Sequence, residues 1–320
     1  MRKRLPPRRE MKFLAKRLMT HPLCMQVTLV LVGVQVALTG LRYLLGGTFT
    51  YGVASLAQYG NTASGLYFND SGFILLFRMD LTQTVLALPV SYDQLLRFGI
   101  FSLVILLVLS PLRLGAMENY WNLLRGQHAG GIRSALRWFA QGRRFGKAVV
   151  VEFLLSAGVR LAGLFATVPS LYLFYLFYTT TPSVEAYTTT SSLLQMGATV
   201  LAIAALVFTF WLHSLLLPVR YCLCAHPEYT LGQTFHRGLA SAKGFRAGFF
   251  GFRLSYLLWL FGSQLTYGAL DIFVTPYTSL GGMIFLQEAA RARQDGGVQG
   301  PATPSPTPPG QRSSGDGGEV

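Results

Sequence analysis

Residues 196–220 read MGATVLAIAALVFTFWLHSLLLPVR, and this stretch decides the class of the protein. It contains no acidic residue and no Lys or Arg before Arg220, and its one other ionisable side chain is that of His213. A helix needs about 20 consecutive apolar residues to cross a bilayer. The stretch therefore predicts a transmembrane helix.

Five more stretches in the chain have similar length and apolar character. With the first, they occupy residues 24–46, 97–117, 149–177, 196–218, 249–270 and 272–290. The last two are separated by almost nothing, which predicts a tight helical hairpin near Asp271. The predicted fold class is all-α, a multi-pass transmembrane bundle of six spans with amphipathic cytoplasmic helices.

The composition agrees with this class. Of the 320 residues, 51% are hydrophobic and only 12% are charged, and the mean hydropathy is +0.41. Soluble domains carry about 25% charged residues. These values exclude a cytosolic dinucleotide-binding enzyme, a secreted disulfide scaffold and a disordered regulator. The three cysteines have no zinc-type spacing, so we expect neither a metal nor a cofactor.

The distribution of Lys and Arg predicts the orientation. Residues 1–23 contain eight such residues, 118–148 six and 219–248 four, whereas 47–96 contain one and 178–195 none. Cytoplasmic loops carry the excess of positive charge. We therefore expect the three basic segments and both termini on the cytoplasmic side of the cell membrane.

Three regions follow from these patterns. Residues 1–23 form a basic cytoplasmic segment, 24–293 the membrane domain, and 294–320 a Pro/Gly-rich cytoplasmic tail that is too poor in apolar residues to fold. Residues 73–90 have apolar side chains at helical spacing interrupted by Arg78 and Asp80. They are interpreted as a helix on the outer leaflet or as a re-entrant element.

A short pattern occurs twice. Pro111-Leu-Arg113 and Pro218-Val-Arg220 each end a predicted span, where the proline should stop the helix and the arginine should reach lipid phosphates. An amphipathic segment follows each one, and then Gly-x-Arg-x-Gly at 142–146 and 244–248. This predicts an internal repeat.

The two amphipathic segments place apolar and basic residues side by side. Their apolar residues are Ile132, Leu136 and Phe139 in the first segment, and Leu231, Phe235 and Leu239 in the second. Thr230 and Gln233 have the spacing of a capping box.

Basic residues next to apolar spans predict an anionic lipid surface as the partner of this chain, whose net charge is +14. The residues expected to contact headgroups are Arg133, Arg137, Arg144, Arg237, Lys243 and Arg246. A membrane protein is an alternative partner. We expect no binding to nucleic acid.

Four polar residues inside predicted spans form a candidate intramembrane site, namely Glu152, Arg160, His213 and Gln264. A charge at this depth is costly and marks a functional candidate. The structural alternatives are that Arg160 reaches the inner leaflet or pairs with a carboxylate, and that His213 and Gln264 make interhelical hydrogen bonds.

The chain resembles the bacterial integral membrane family called domain of unknown function 975. The resemblance rests on Pro227-Glu228, Lys243-Gly244, Leu254-Ser255-Tyr256, Trp259-Leu260, Pro276-Tyr277, Pro111-Leu-Arg-Leu-Gly115, Tyr120-Trp121 and Lys12-Phe-Leu-Ala15-Lys16. The chain departs from the family's pattern at Ala225-His226, at Gly238 and Ala242, and at Arg160. The resemblance implies a six-span α-helical protein of the bacterial cytoplasmic membrane with no assigned activity.

Zincin, P-loop, nucleophile-elbow and paired-aspartate motifs do not occur, so we expect no enzyme. The leading interpretation is a non-enzymatic organiser of membrane partners or of anionic lipid. The alternative is a small-molecule or ion transporter, in which Glu152, Arg160 and His213 would line one cavity.

Overall fold

The structure is a computed structural model of the chain and describes residues 5–45, 52–55, 65–69, 72–79, 84–127, 130–180, 189–266 and 269–295. Its helices are α1 (Arg8–Met19), α2 (Pro22–Leu44), α3 (Tyr92–Leu124), α4 (Gly131–Ala140), α5 (Gly142–Thr180), α6 (Thr189–Ala225), α7 (Leu231–Ser241), α8 (Arg246–Leu254), α9 (Leu257–Leu265) and α10 (Asp271–Asp295). The strands are β1 (Gly52–Ser55), β2 (Gly65–Asn69), β3 (Gly72–Met79) and β4 (Thr84–Ser91). The predicted cytoplasmic tail lies outside the described residues, apart from its first two positions.

Helices dominate the fold, as the sequence predicts. Four of those in the described part of the chain are long and apolar enough to cross a membrane: α2, α3, α5 as far as Phe177, and α6. Many large apolar side chains on these helices are exposed, for example Leu164, Phe165 and Leu206. Such surfaces suit contact with lipid chains rather than with water.

A sheet between α2 and α3 is the main departure from the prediction. The strands pair antiparallel in the order β1-β4-β3-β2, with Phe73 opposite Val90 and Leu75 opposite Leu88. Within this segment, residues 73–79 and 84–90 are therefore strands, and the interpretation of the segment as an interfacial or re-entrant helix is wrong. Short apolar runs fit both a helix and a strand, and here the pairing of β3 with β2 and β4 decides between them.

Pro111 and Pro218 lie inside α3 and α6, which continue to Leu124 and Ala225. The prediction that each proline ends its helix is therefore wrong. A helix tolerates an internal proline when neighbouring groups compensate the lost hydrogen bond.

The predicted fifth span is divided into two short helices. α8 ends at Leu254, α9 begins at Leu257, and Ser255 and Tyr256 lie between them. The nine residues of α9 rise about 13 Å, which is less than half of a hydrocarbon core of about 30 Å. α9 and α10 form a hairpin, because the Ser263 hydroxyl bonds to Oδ1 of Asp271 near the turn and the rings of Tyr256 and Trp259 contact that of Tyr277 farther from it.

The packed core lies at one end of the long helices. Its largest fully buried side chains include Tyr120, Trp138, Phe249, Phe252 and Tyr256. They come from the end of α3, from α4, from α8 and from the break after α8. The opposite ends of α5 and α6 contribute few buried residues.

Each amphipathic helix packs against the Pro-x-Arg segment that precedes it. A Cβ added at Gly115 would overlap the backbone of Ala135, where α3 touches α4. A Cβ added at Gly238 on α7 would lie 2.6 Å from the Cα of Val219 on α6. Both contacts therefore require glycine, because any other residue would place a Cβ in the space that the facing backbone occupies.

Candidate functional site

The two arginines of the Pro-x-Arg segments point into the protein and not to lipid phosphates. Nη2 of Arg220 lies 2.7 Å from Oε2 of Glu152 on α5, and the two side chains are 13% and 3% exposed. Neither charge would be stable alone at this depth of burial, because the other residue of the pair compensates it. Glu152 thus has a partner on another helix, which the sequence did not indicate.

Arg113 connects three other helices. Its Nη2 donates to Oε1 of Gln35 on α2 at 3.2 Å. Nε2 of Gln35 in turn donates to Oδ2 of Asp271 on α10 at 3.3 Å. Ser263 on α9 donates to the other oxygen of Asp271. The chain of contacts fixes the tip of the α9–α10 hairpin against α2 and α3.

Arg253 on α8 is buried beside these groups, and Arg220, Tyr221 and Tyr256 are close enough to act on it electrostatically. We call Arg113, Arg220 and Arg253 the arginine layer. His213 lies within electrostatic range of all three. Three cations thus share the region with the two carboxylates of Glu152 and Asp271.

A groove of about 430 Å³ runs between α3 and α5. Arg113 and Glu152 line it near the arginine layer, and Arg42 and Arg160 line it farther along the helices. The structure therefore places Glu152 and Arg160 in the same groove. His213 lies beside the arginine layer and is not part of the lining, and nothing is described of the Gln264 side chain.

The family model described as Protein of unknown function (DUF975) matches residues 57–293, which is most of the chain. The chain belongs to this family. The matched range includes the arginine layer and every groove residue except Arg42. No curated protein and no solved structure matches the chain.

The six basic residues expected at headgroups fall into two groups in this DUF975 protein. Arg133, Arg137, Lys243 and Arg246 are exposed. Arg144 instead lies 3.6 Å from Glu118, and Arg237 donates to the Tyr229 hydroxyl at 2.5 Å. Those two have protein partners that the sequence did not indicate.

The two amphipathic helices of the DUF975 fold present their apolar residues differently. Ile132, Leu136 and Phe139 on α4 are between 37% and 49% exposed, while Ala135 and Trp138 on the other face are buried. On α7, the corresponding Leu231, Phe235 and Leu239 pack in part against the core. The capping box of Thr230 and Gln233 is confirmed at the start of α7.

Basic residues of α1 cap the end of α8, a role that sequence reasoning missed. Lys12 donates to the Ser255 carbonyl at 3.1 Å and lies 4.6 Å from the Tyr256 ring centre, and Arg8 donates to the Gly251 carbonyl at 3.3 Å. Burial, and then the charge of Arg8, lower the pKa of Lys12. The break after α8 leaves these carbonyls without helical partners. The sequence did not predict the break, because it lies within a continuous apolar run.

Lys147 makes a second unexpected connection. It donates to the carbonyls of Pro227 at 2.8 Å and Tyr229 at 2.6 Å, which joins the start of α5 to the turn after α6. Among the residues that the structure describes, no three His, Cys, Asp or Glu side chains are grouped as they are around a metal ion.

Proposed function

We propose that this DUF975 protein is a non-enzymatic, multi-pass protein of the bacterial cytoplasmic membrane that organises anionic phospholipid at the inner surface. The observation that carries the proposal is the position of α4. One face of this helix is buried against α3, and the other presents Ile132, Leu136 and Phe139 together with Arg133 and Arg137. A helix held in this way and lying in the headgroup plane would insert the apolar residues and hold the arginines at the phosphates.

The energies favour an anionic surface. Each Lys or Arg close to an anionic membrane contributes about 1 kcal/mol. Lys243 and Arg246 are exposed after α7 and would add to Arg133 and Arg137. At a neutral surface, only the insertion of the apolar side chains would contribute to the binding free energy.

The topology we propose has four spans, α2, α3, α5 and α6, with both termini in the cytoplasm. α9 and the start of α10 would enter the bilayer from the cytoplasmic side and turn back inside it. The short length of α9 supports this topology over the six spans expected from the sequence.

We also propose that the two Pro-x-Arg units are structural repeats. In support, α4 packs on α3 and α7 packs on α6 at a small residue, and Arg113 and Arg220 both turn to interior partners. The second unit differs after its amphipathic helix, where α8 and α9 replace one continuous helix.

Native mass spectrometry of the full chain, purified with an equal mixture of phosphatidylglycerol and phosphatidylcholine, tests the lipid preference. We expect the chain to retain phosphatidylglycerol, and added salt to weaken this preference. Arg133→Gln together with Arg137→Gln should shift the retained lipid toward phosphatidylcholine. Arg291→Gln is the matched control, because Arg291 is an exposed arginine on the end of α10. An unchanged lipid ratio in the double variant would contradict the proposal and favour a protein partner on α4.

The second candidate is a small-molecule or ion transporter, favoured by one observation: Glu152 and Arg160 line the same groove. His213 lies outside that lining, which removes one of the three residues expected in a path. Reconstituted proteoliposomes loaded with a pH-sensitive dye and phosphate would test it. Flux above that of empty liposomes, lost in Arg160→Gln, would favour the transporter.

A further inference from the structure

The first helix, α1, is attached to the rest of the protein along one side. Met11 and Ala15 on this side are 3% and 0% exposed and belong to the packed core, and the helix packs mainly against α10. Lys12 donates to the Ser255 carbonyl at the end of α8. These contacts fix the orientation of α1 and determine which of its side chains face outward.

Phe13 lies in the middle of the outward side of α1 and is 70% exposed. Residues three and four positions away from it in either direction share this side of the helix. They are Arg9, Glu10, Lys16 and Arg17, and all four are exposed. An exposed ring among basic side chains suits the membrane–water interface, where the ring reaches the acyl chains and the cations reach the phosphates.

Two features of the fold determine the depth of Phe13. The first proposed span, α2, begins three residues after α1 ends. Lys12, the neighbour of Phe13 in the chain, lies 4.6 Å from the ring centre of Tyr256, and Leu258, two residues after Tyr256, is 84% exposed. An apolar side chain exposed to this degree suits contact with lipid. Phe13 therefore lies close to the level at which the lipid-facing surface of the α9–α10 hairpin begins.

We infer that α1 anchors the protein to the inner leaflet, with the Phe13 ring among the acyl chains and with Arg9, Lys16 and Arg17 at the phosphates of anionic phospholipid. Three exposed cations around the ring, against one carboxylate on the same side of the helix, favour an anionic surface over a neutral one. The inference rests on the proposed function only in that α2 begins at the cytoplasmic surface of the membrane, and it does not depend on lipid contact by α4.

The depth of residue 13 tests this anchor. In the full chain with its three cysteines replaced by Ala, Phe13→Cys would be labelled with a nitrobenzoxadiazole fluorophore and reconstituted with equal amounts of phosphatidylglycerol and phosphatidylcholine. A lipid with a spin label on its acyl chain should quench this fluorophore at least twofold more strongly than a fluorophore at Arg291→Cys, an exposed position near the end of α10. Quenching at residue 13 no stronger than at residue 291 would overturn the anchor.

The preference for anionic lipid is tested without cysteine replacement, in the full chain carrying the double variant of α4, so that lipid held at α4 does not contribute. Native mass spectrometry would measure the lipids that this chain retains from the same mixture. Arg9→Gln, Lys16→Gln and Arg17→Gln together should lower the ratio of phosphatidylglycerol to phosphatidylcholine at least twofold. Arg291→Gln is the matched control and should leave the ratio unchanged.

The other outcomes identify which part of the inference fails. Strong quenching at residue 13 with an unchanged lipid ratio in the triple variant would show that the ring meets lipid without recognition of charge, which would overturn the anionic preference. A fluorophore that is shielded from aqueous iodide, yet not quenched by the spin-labelled lipid, would show that protein covers Phe13. Either result, together with a lipid ratio that responds to the double variant of α4, would reject the role of α1 and leave the proposed function standing.

Discussion

Nε2 of Gln35 on α2 donates a hydrogen bond of 3.3 Å to Oδ2 of Asp271, the first residue of α10. Gln35 is the 14th of the 23 residues of α2, so it lies near the middle of this long apolar helix. The contact therefore places the start of α10 beside the middle of a proposed span and not at its end. In the topology proposed above, a hairpin with its tip at this level would enter the bilayer without crossing it.

This position predicts how the tip reacts with thiol reagents. In a chain whose Cys24, Cys222 and Cys224 are replaced by Ala, a single Ala269→Cys should not react with an impermeant maleimide applied to intact cells. The reason is that residue 269 lies two positions from Asp271 and so within the apolar layer. Labelling from outside as fast as that of Asn69→Cys would show that the hairpin crosses the membrane, as six spans require.

The orientation of the whole chain is tested in the same background. Asn69→Cys and Ser183→Cys should be labelled from outside, because they lie in the segments poor in Lys and Arg. Gln127→Cys and Ser241→Cys should react only after the cells are permeabilised. The opposite pattern would place the basic segments outside and reject the proposed topology.

Loss of one partner of the Glu152–Arg220 pair should destabilise the protein strongly. Glu152→Ala leaves Arg220, only 13% exposed, without its carboxylate. Removing one member of a buried pair costs about 3–5 kcal/mol. Thermal unfolding of the purified protein in detergent should show a lower midpoint for Glu152→Ala. Replacing both residues with Met should recover much of the loss, and a double variant as unstable as Glu152→Ala would contradict this account.

The close contact between α6 and α7 predicts a position-specific effect of adding a methyl group. Gly238→Ala should destabilise, because its Cβ would lie 2.6 Å from the Cα of Val219. Gly232→Ala on the same helix meets nothing within 4 Å and should be neutral or stabilising by up to about 1 kcal/mol. Comparable unfolding midpoints for the two variants would show that α7 does not press on α6 as described.

The sequence predicted those parts of the molecule that depend on local signals. An apolar run of about 20 residues needs no distant partner to be helical in lipid, so the helices at 24–46, 97–117, 149–177 and 196–218 could be expected. The capping box of Thr230 and Gln233 is equally local, because both residues belong to one helical turn. The family resemblance also rests on short motifs, and it is confirmed over residues 57–293.

The tertiary structure decided where contacts join distant residues. Arg220 and Glu152 are 68 residues apart, and an arginine near a membrane edge has the same local sequence whether it meets lipid or a carboxylate. Residues 73–79 and 84–90 are strands because β3 and β4 pair with each other and with β2 and β1, and the spacing of apolar residues within one run does not show this pairing. The break at Ser255 and Tyr256 is supported by Lys12 on α1, 243 residues away. In each case the deciding interaction joins two elements of the fold, and the local sequence of one element does not show its partner.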